Sequence, residues 1–189
     1  MIKNLLIATL ALTSLNLFAA VTKVEIDPAA SKIVYIGKKI TGEHTGEVSL
    51  ANGFLNFDKD VLKGGEFEID MTTISNTDLT DKEYHKKFID HMISDDFFAV
   101  EKFKTAKFVI KTVKKEKADY KVTGDLTIKG KTAPVTFKAV ASKESATAKI
   151  VFDRTKYDIK YGSGKFFQGL GDKMIKDEVE LNVSLVAKK

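Results

Sequence analysis

The residues best equipped for chemistry crowd one stretch, residues 64–110, GGEFEIDMTTISNTDLTDKEYHKKFIDHMISDDFFAVEKFKTAKFVI, which holds His85, His91, Asp90, Asp95 and Asp96. Histidines beside carboxylates would suit a divalent metal or general acid–base work. The spacing argues against both. A two-histidine grip on one helix face needs positions i and i+4, whereas His85 and His91 are six apart. His44 is remote in sequence, and helix capping and solvation account for the aspartates. Nucleophilic catalysis lacks its residues: there is no cysteine, and no serine stands in a G-x-S-x-G turn. A second candidate, TKYDIKYGSGKFFQGLGDKMIK at 155–176, carries Gly162, Gly164, Gly169 and Gly171. It fails as a phosphate loop, because no glycine lies five residues before Gly164 and no Ser or Thr follows Lys165. A rim loop tucking Phe166 and Phe167 inward is expected instead. No catalytic or metal-binding residue is assigned, no cofactor is expected, and the protein reads as a non-enzyme.

The elements that surround these residues are mostly strands. Val179, Leu181, Val183 and Leu185 share one face of DEVELNVSLVAK, with Glu178, Glu180, Asn182 and Ser184 on the other. The same period of two runs through Phe67-Ile69-Met71, Phe108-Ile110, Val135-Phe137-Ala139-Ala141 and Ala148-Ile150-Phe152. One dry face and one wet face describe an antiparallel sheet. Turn signals at Asn52-Gly53, Lys129-Gly130-Lys131 and Ser142–Ser145 separate about eight strands, a meander that closes into a barrel or a sandwich. The exception is the opening stretch. Thr80-Asp81-Lys82-Glu83 reads as a capping box with Thr80 as N-cap, and Leu79 and Tyr84 as a hydrophobic staple. Tyr84, Phe88, Met92, Ile89 and Ile93 then form an apolar stripe at helical spacing, followed by a short turn at Ser94-Asp95-Asp96 carrying Phe97 and Phe98. Such a helix lies on the sheet and closes one end of it.

The front end is different again. Lys3, the apolar run Leu5–Leu12 and the small residues ending at Ala19-Ala20 describe a signal peptide over residues 1–20, cleaved after Ala19 or Ala20. Residues 21–189 then form a single domain in the periplasm. Without cysteine it is held by hydrophobic burial rather than disulfides. The 31 Lys+Arg against 26 Asp+Glu are mildly basic, but the lysines are dispersed as on solvated strand faces. Nucleic acid is not an expected partner; solvated faces are the main reading of these lysines, with weak contact with an anionic membrane surface as the alternative, and a homodimer is left open.

Residues 69–74 (Ile-Asp-Met-Thr-Thr-Ile), 91–98 (His-Met-Ile-Ser-Asp-Asp-Phe-Phe), 103–108 (Phe-Lys-Thr-Ala-Lys-Phe), 122–130 (Val-Thr-Gly-Asp-Leu-Thr-Ile-Lys-Gly), 171–183 and 42–58 together resemble the YceI-like family of exported, lipocalin-like polyisoprenoid-binding proteins. The resemblance covers nearly all of residues 21–189. Two departures stand out: there is no tryptophan, and Lys104 stands where many members have proline. The resemblance implies an all-β fold with one or two short helices, an eight-stranded antiparallel lipocalin-like β-barrel enclosing an apolar cavity. It also implies a periplasmic carrier or reservoir for a polyisoprenoid chain, such as a quinone or polyprenyl lipid. Inward faces at Phe67, Ile69, Phe108, Ile110, Leu126, Ile128, Phe137, Phe152 and Val183 would contact that lipid, with Phe88, Met92, Phe97 and Phe98 closing the barrel. The alternation itself fits a solid core equally well. A solid-cored barrel binding a protein partner through its loops is therefore the alternative.

Overall fold

Strands with one apolar face must bury that face, and here they do so by curling the sheet onto itself. The computed structural model describes residues 21–189, so the signal peptide expected at 1–20 lies outside the described residues. The strands are β1 (Val21–Glu25), β2 (Lys32–Lys39), β3 (Gly42–Asp58), β4 (Val61–Asp70), β5 (Thr105–Glu116), β6 (Asp119–Ile128), β7 (Lys131–Ala141), β8 (Ser145–Asp153) and β9 (Ile175–Val186). A helix, α1 (Lys82–Ile93), lies in the long β4–β5 connection. Single 3-10 turns cover Met71–Thr73, Arg154–Tyr157 and Gly171–Lys173.

The spatial order is β1-β3-β2-β9-β8-β7-β6-β5-β4, and β3 pairs again with β4 to close the ring. β1 and β2 share one ring position: β1 pairs with Phe54–Asp58 of β3, and β2 pairs with Gly42–Val48 of the same strand. Nine strands thus make an eight-stranded closed antiparallel barrel, the expected fold. Closure removes the free edges that would otherwise recruit other chains. The outer face is polar, with Lys107–Glu66 at 2.5 Å, Lys149–Glu180 at 2.7 Å and hydroxyl pairs Thr123–Thr136 and Thr127–Thr132. Ion pairs on such a solvated face add little to stability, because water and salt screen them. Apolar residues inside and charges outside are the reverse of what a bilayer-spanning barrel requires.

Three local expectations are corrected. Asn52-Gly53 is not a hairpin turn: β3 runs straight through it, with a bulge between Leu50 and Asn52, and the hairpin falls at Lys59-Asp60. The glycine serves packing, since a Cβ at Gly53 would stand 2.5 Å from the Phe67 ring across the β3–β4 ladder. The helix N-cap is Asp81, not Thr80. Its carboxylate accepts from the Glu83 and Tyr84 amides, both at 2.9 Å. An ionised carboxylate at the positive end of the helix outcompetes the neighbouring hydroxyl. The start shifts by one residue, so Leu79 and Tyr84 form no staple, and Tyr84 is 67% exposed. Finally, Phe166 and Phe167 do not tuck inward; they are 50% and 47% exposed. Tyr157 and Ile159, both fully buried, take the interior space instead.

Candidate ligand-binding cavity

The barrel interior is hollow. A cavity of about 350 Å³ runs inside it, within the size range of small-molecule sites. The strand residues Phe67, Ile69, Phe108, Ile110, Leu126, Ile128, Phe137, Phe152 and Val183 all line it, as do Phe88, Met92, Phe97 and Phe98 from the helix and the turn after it. The period of two therefore selects inward-facing positions on every strand it was read on. Glycine at 124 keeps the wall thin, because a Cβ there would collide with the Phe108 ring. The β2 and β3 contribution, Ile33, Tyr35, Val48, Leu50 and Leu55, was missed. The turn signal at Asn52-Gly53 falls inside β3 and masks the alternation that runs through it.

Helix α1 crosses one end. Its Phe88, His91 and Met92 face the cavity, and Met92 is buried. The connection before the helix is fastened to β3: His44 Nδ1 and Asp78 Oδ2 lie 2.9 Å apart, the Thr45 amide donates to Asp78 Oδ1 at 2.7 Å, and the Asn76 amide group donates to Thr45 O at 3.1 Å. The His44 ring packs 4.7 Å from that of Phe88. Burial pushes the Asp78 carboxyl up, but the hydrogen bonds from Thr45, His44 and Asn76 outweigh it and hold the group below the usual carboxylate range. Tyr35, beside this clasp, donates to Ser75 O, and burial raises its pKa. The opposite end is plugged by Tyr120, whose hydroxyl donates to Asp60 O at 3.3 Å.

Polar groups enter the lining at the helix end, from Lys38, Lys39, His44, His91, Arg154, Tyr161 and Lys176. Arg154 is the most unusual. It is the only arginine in the chain, yet it is 1% exposed. Its Nε donates to Lys176 O at 3.0 Å, Nη1 to Ile159 O at 2.8 Å and Nη2 to Ile175 O at 3.1 Å. Burial lowers its pKa, and Asp177 and Asp153 work in the other direction. Lys165 bridges the same two carboxylates, at 2.9 Å to Asp153 and 3.0 Å to Asp177. For Asp153, burial raises the pKa, but hydrogen bonds from Thr155 and Lys165 leave it lowered. Two cations and two anions thus balance locally, which is what allows charge beside an apolar cavity. Tyr157 packs on Phe152 at 5.6 Å, and burial with Asp153 nearby pushes its phenol up to about 12. The sequence signal for Arg154 is its solitude among lysines: the rigid fork of a guanidinium holds its donors in fixed, separate directions from one buried position.

The histidines are not brought together as a metal grip. His85 Nε2 lies 3.3 Å from Asn76 O, on the connection before the helix. His91 packs between Phe97 and Tyr161, at 5.5 Å and 4.3 Å. Asp90 and Asp95 pair with Lys86 and Lys102 at the surface.

Comparison with known proteins agrees with this architecture. The chain is 37% identical over 110 residues to a UPF0312 protein of Photorhabdus laumondii, covering 56% of this chain and 54% of that protein. The matched stretch spans about half the length of the curated relatives. The crystal structure of Burkholderia cenocepacia BcnA superposes with a TM-score of 0.67 at 25% identity, over 86% of this chain and 99% of that one. A polyisoprenoid binding domain from Saccharophagus degradans, implicated in plant cell wall breakdown, shares the fold with a TM-score of 0.59 at 14% identity, over 87% and 97% of the two chains. The YceI-like domain model matches residues 25–187, essentially the whole barrel, and the chain belongs to the YceI-like family.

Proposed function

We propose that this protein is a non-enzymatic carrier or reservoir that holds a polyisoprenoid lipid in its barrel, in the periplasm. The observation that carries the proposal is the hollow interior: a cavity of about 350 Å³ walled by aliphatic and aromatic side chains, with polar groups at one end. A solid-cored interaction module needs that space filled. Each isoprene unit transferred from water to such a wall contributes roughly 2–4 kcal/mol before ordering costs, so a few units suffice for micromolar affinity. The polyisoprenoid binding domain of Saccharophagus degradans, built on the same fold, supports this ligand class. The export signal read in residues 1–20 supports the periplasmic setting.

The helix end also offers a route for loading. Ile40, Tyr161, Phe166 and Phe167 are exposed there, and Lys156, Lys173 and Lys176 make no ion pair among the described residues. Half-exposed aromatics among uncompensated lysines match an anionic bilayer surface, from which a lipid tail would enter the barrel. The primary test is organic extraction of protein purified from an export compartment, followed by mass spectrometry. A stoichiometric isoprenoid lipid is the expected result. An empty extract from protein that also fails to bind added isoprenoid would overturn the proposal.

A further inference from the structure

An apolar cavity alone selects only for hydrocarbon, yet this one has a chemically distinct corner. Arg154 and His91 both line the cavity and flank one ring: the guanidinium carbon lies 5.8 Å from the Phe97 centroid, and the His91 ring centroid lies 5.5 Å from it. Arg154 has five N–H groups, of which three bond backbone carbonyls. Nη2 also pairs with Asp177 Oδ1 at 3.7 Å, a buried oxygen with no hydrogen bond of its own, so one N–H, on Nη1, is left without an acceptor among the described residues. His91 Nε2 is buried and has no hydrogen-bond partner among the described residues either. Buried donors without partners cost free energy, and native proteins leave few of them. The spare Nη1 N–H of Arg154 and the unpartnered Nε2 of His91, on either side of one ring in the wall of a ligand-sized cavity, mark a place where a ligand atom completes the bonding.

We infer that the Arg154–Phe97–His91 corner is a head-group subsite, which selects amphiphiles with a hydrogen-bond-accepting oxygen at one end and orients them with that end beneath α1. The inference rests on the lipid-binding reading above and names the chemistry of the ligand's head. The two faces of the corner have different tasks. Arg154 is anchored by three carbonyls, so its spare N–H on Nη1 is fixed in direction before a ligand arrives. His91 sits on α1, the element that covers the cavity, and donates from Nε2 when the proton is placed there, so the head bonds wall and cover together. The remainder of the cavity, toward Leu62, Val122 and Ala146, is apolar but for Thr147 and takes the tail. Both a neutral ring carbonyl and a phosphate present the required oxygen.

The test compares three isoprenoid probes on the delipidated protein: squalene, which has no oxygen; a short-tailed ubiquinone, with neutral carbonyls; and farnesyl phosphate, with an anionic head. At least one headed probe is expected to bind about tenfold or more tightly than squalene, the effect of one or two hydrogen bonds to buried donors. His91→Phe keeps the packing against Phe97 and Tyr161 but removes the donor, and should reduce that ratio about tenfold. Arg154→Lys, which retains charge but not the fork, should reduce it further if the variant melts as a folded protein. Preference for ubiquinone identifies a carbonyl head; preference for farnesyl phosphate that weakens with salt identifies a phosphate. Equal affinity for all three probes, or a ratio unchanged in His91→Phe, overturns the subsite while leaving lipid binding intact. Failure of every probe to bind overturns the lipid reading and this one with it.

Discussion

His44 Nδ1 and Asp78 Oδ2 lie 2.9 Å apart and tie strand β3 to the chain that leads into α1. Because the Thr45 amide and the Asn76 side chain also donate to Asp78 Oδ1, one carboxylate gathers three donors at the root of the helix. Those bonds, exceeding the opposing effect of burial, hold its pKa below the model-peptide value of 3.8. A carboxyl depressed in the folded state binds fewer protons there than in the unfolded chain. Its contribution is therefore present above about pH 4 and lost as pH falls through the lowered value.

The clasp should loosen under acid. Hydrogen exchange of the Thr45 and Thr77 amides is expected to accelerate below about pH 4, relative to amides on β6 and β7, after correction for intrinsic exchange. Asp78→Asn should remove that pH dependence. An unchanged acid response in the variant would place the effect elsewhere.

A defined cavity predicts position-specific sensitivity to charge. Ile128 is buried in the wall, whereas Lys114 is exposed on β5. Ile128→Glu puts a carboxyl against the ligand and should abolish retention of bound lipid, measured by extraction and mass spectrometry. Lys114→Glu should retain it. Equal loss in both would argue that no defined cavity holds the lipid.

The hollow also shapes stability. Phe57 is fully buried and does not line the cavity, so Phe57→Ala opens a new void and is expected to cost about 3–5 kcal/mol. Leu126 faces space that already exists. Leu126→Ala should fall at the lower end for its type, about 2 kcal/mol in lipid-free protein. Denaturant unfolding of the delipidated variants checks the order; Leu126→Ala costing as much as Phe57→Ala would contradict it.

The barrel was legible because period-two alternation is a statement about burial, and burial decides which face of each strand turns inward. Phe108, Ile128, Phe137 and Val183 needed nothing more. What failed was local chemistry overruled by tertiary contact. Asn52-Gly53 has the composition of a tight turn, but Phe67 on the neighbouring strand needs the glycine's missing Cβ, and β3 stays straight. Lys59-Asp60 turns the chain instead, a pair with a weaker local signal. The head-group corner was illegible for another reason. Arg154 and His91 come from different connections, and only the Phe97 ring between them brings both to one place. The spacing rule that excluded a metal grip for His85 and His91 says nothing of a histidine acting with an arginine on another element.

Loading from a membrane predicts a kinetic effect separable from equilibrium binding. Phe166 and Phe167 project from the connection that also carries Tyr161 to the cavity wall, and neither lines the cavity. Half-exposed rings of this kind each contribute on the order of 1 kcal/mol when they enter a lipid interface, so the pair affects surface residence about tenfold or more. In a transfer assay from vesicles containing phosphatidylglycerol, a Phe166→Ser/Phe167→Ser variant should load a fluorescent isoprenoid about tenfold more slowly, with the final bound fraction unchanged. Raising ionic strength should slow the parent protein by screening Lys156, Lys173 and Lys176 from the anionic surface. The same variant loading at the parental rate, with no salt dependence in either protein, would show that lipid reaches the barrel without contact between this face and the bilayer.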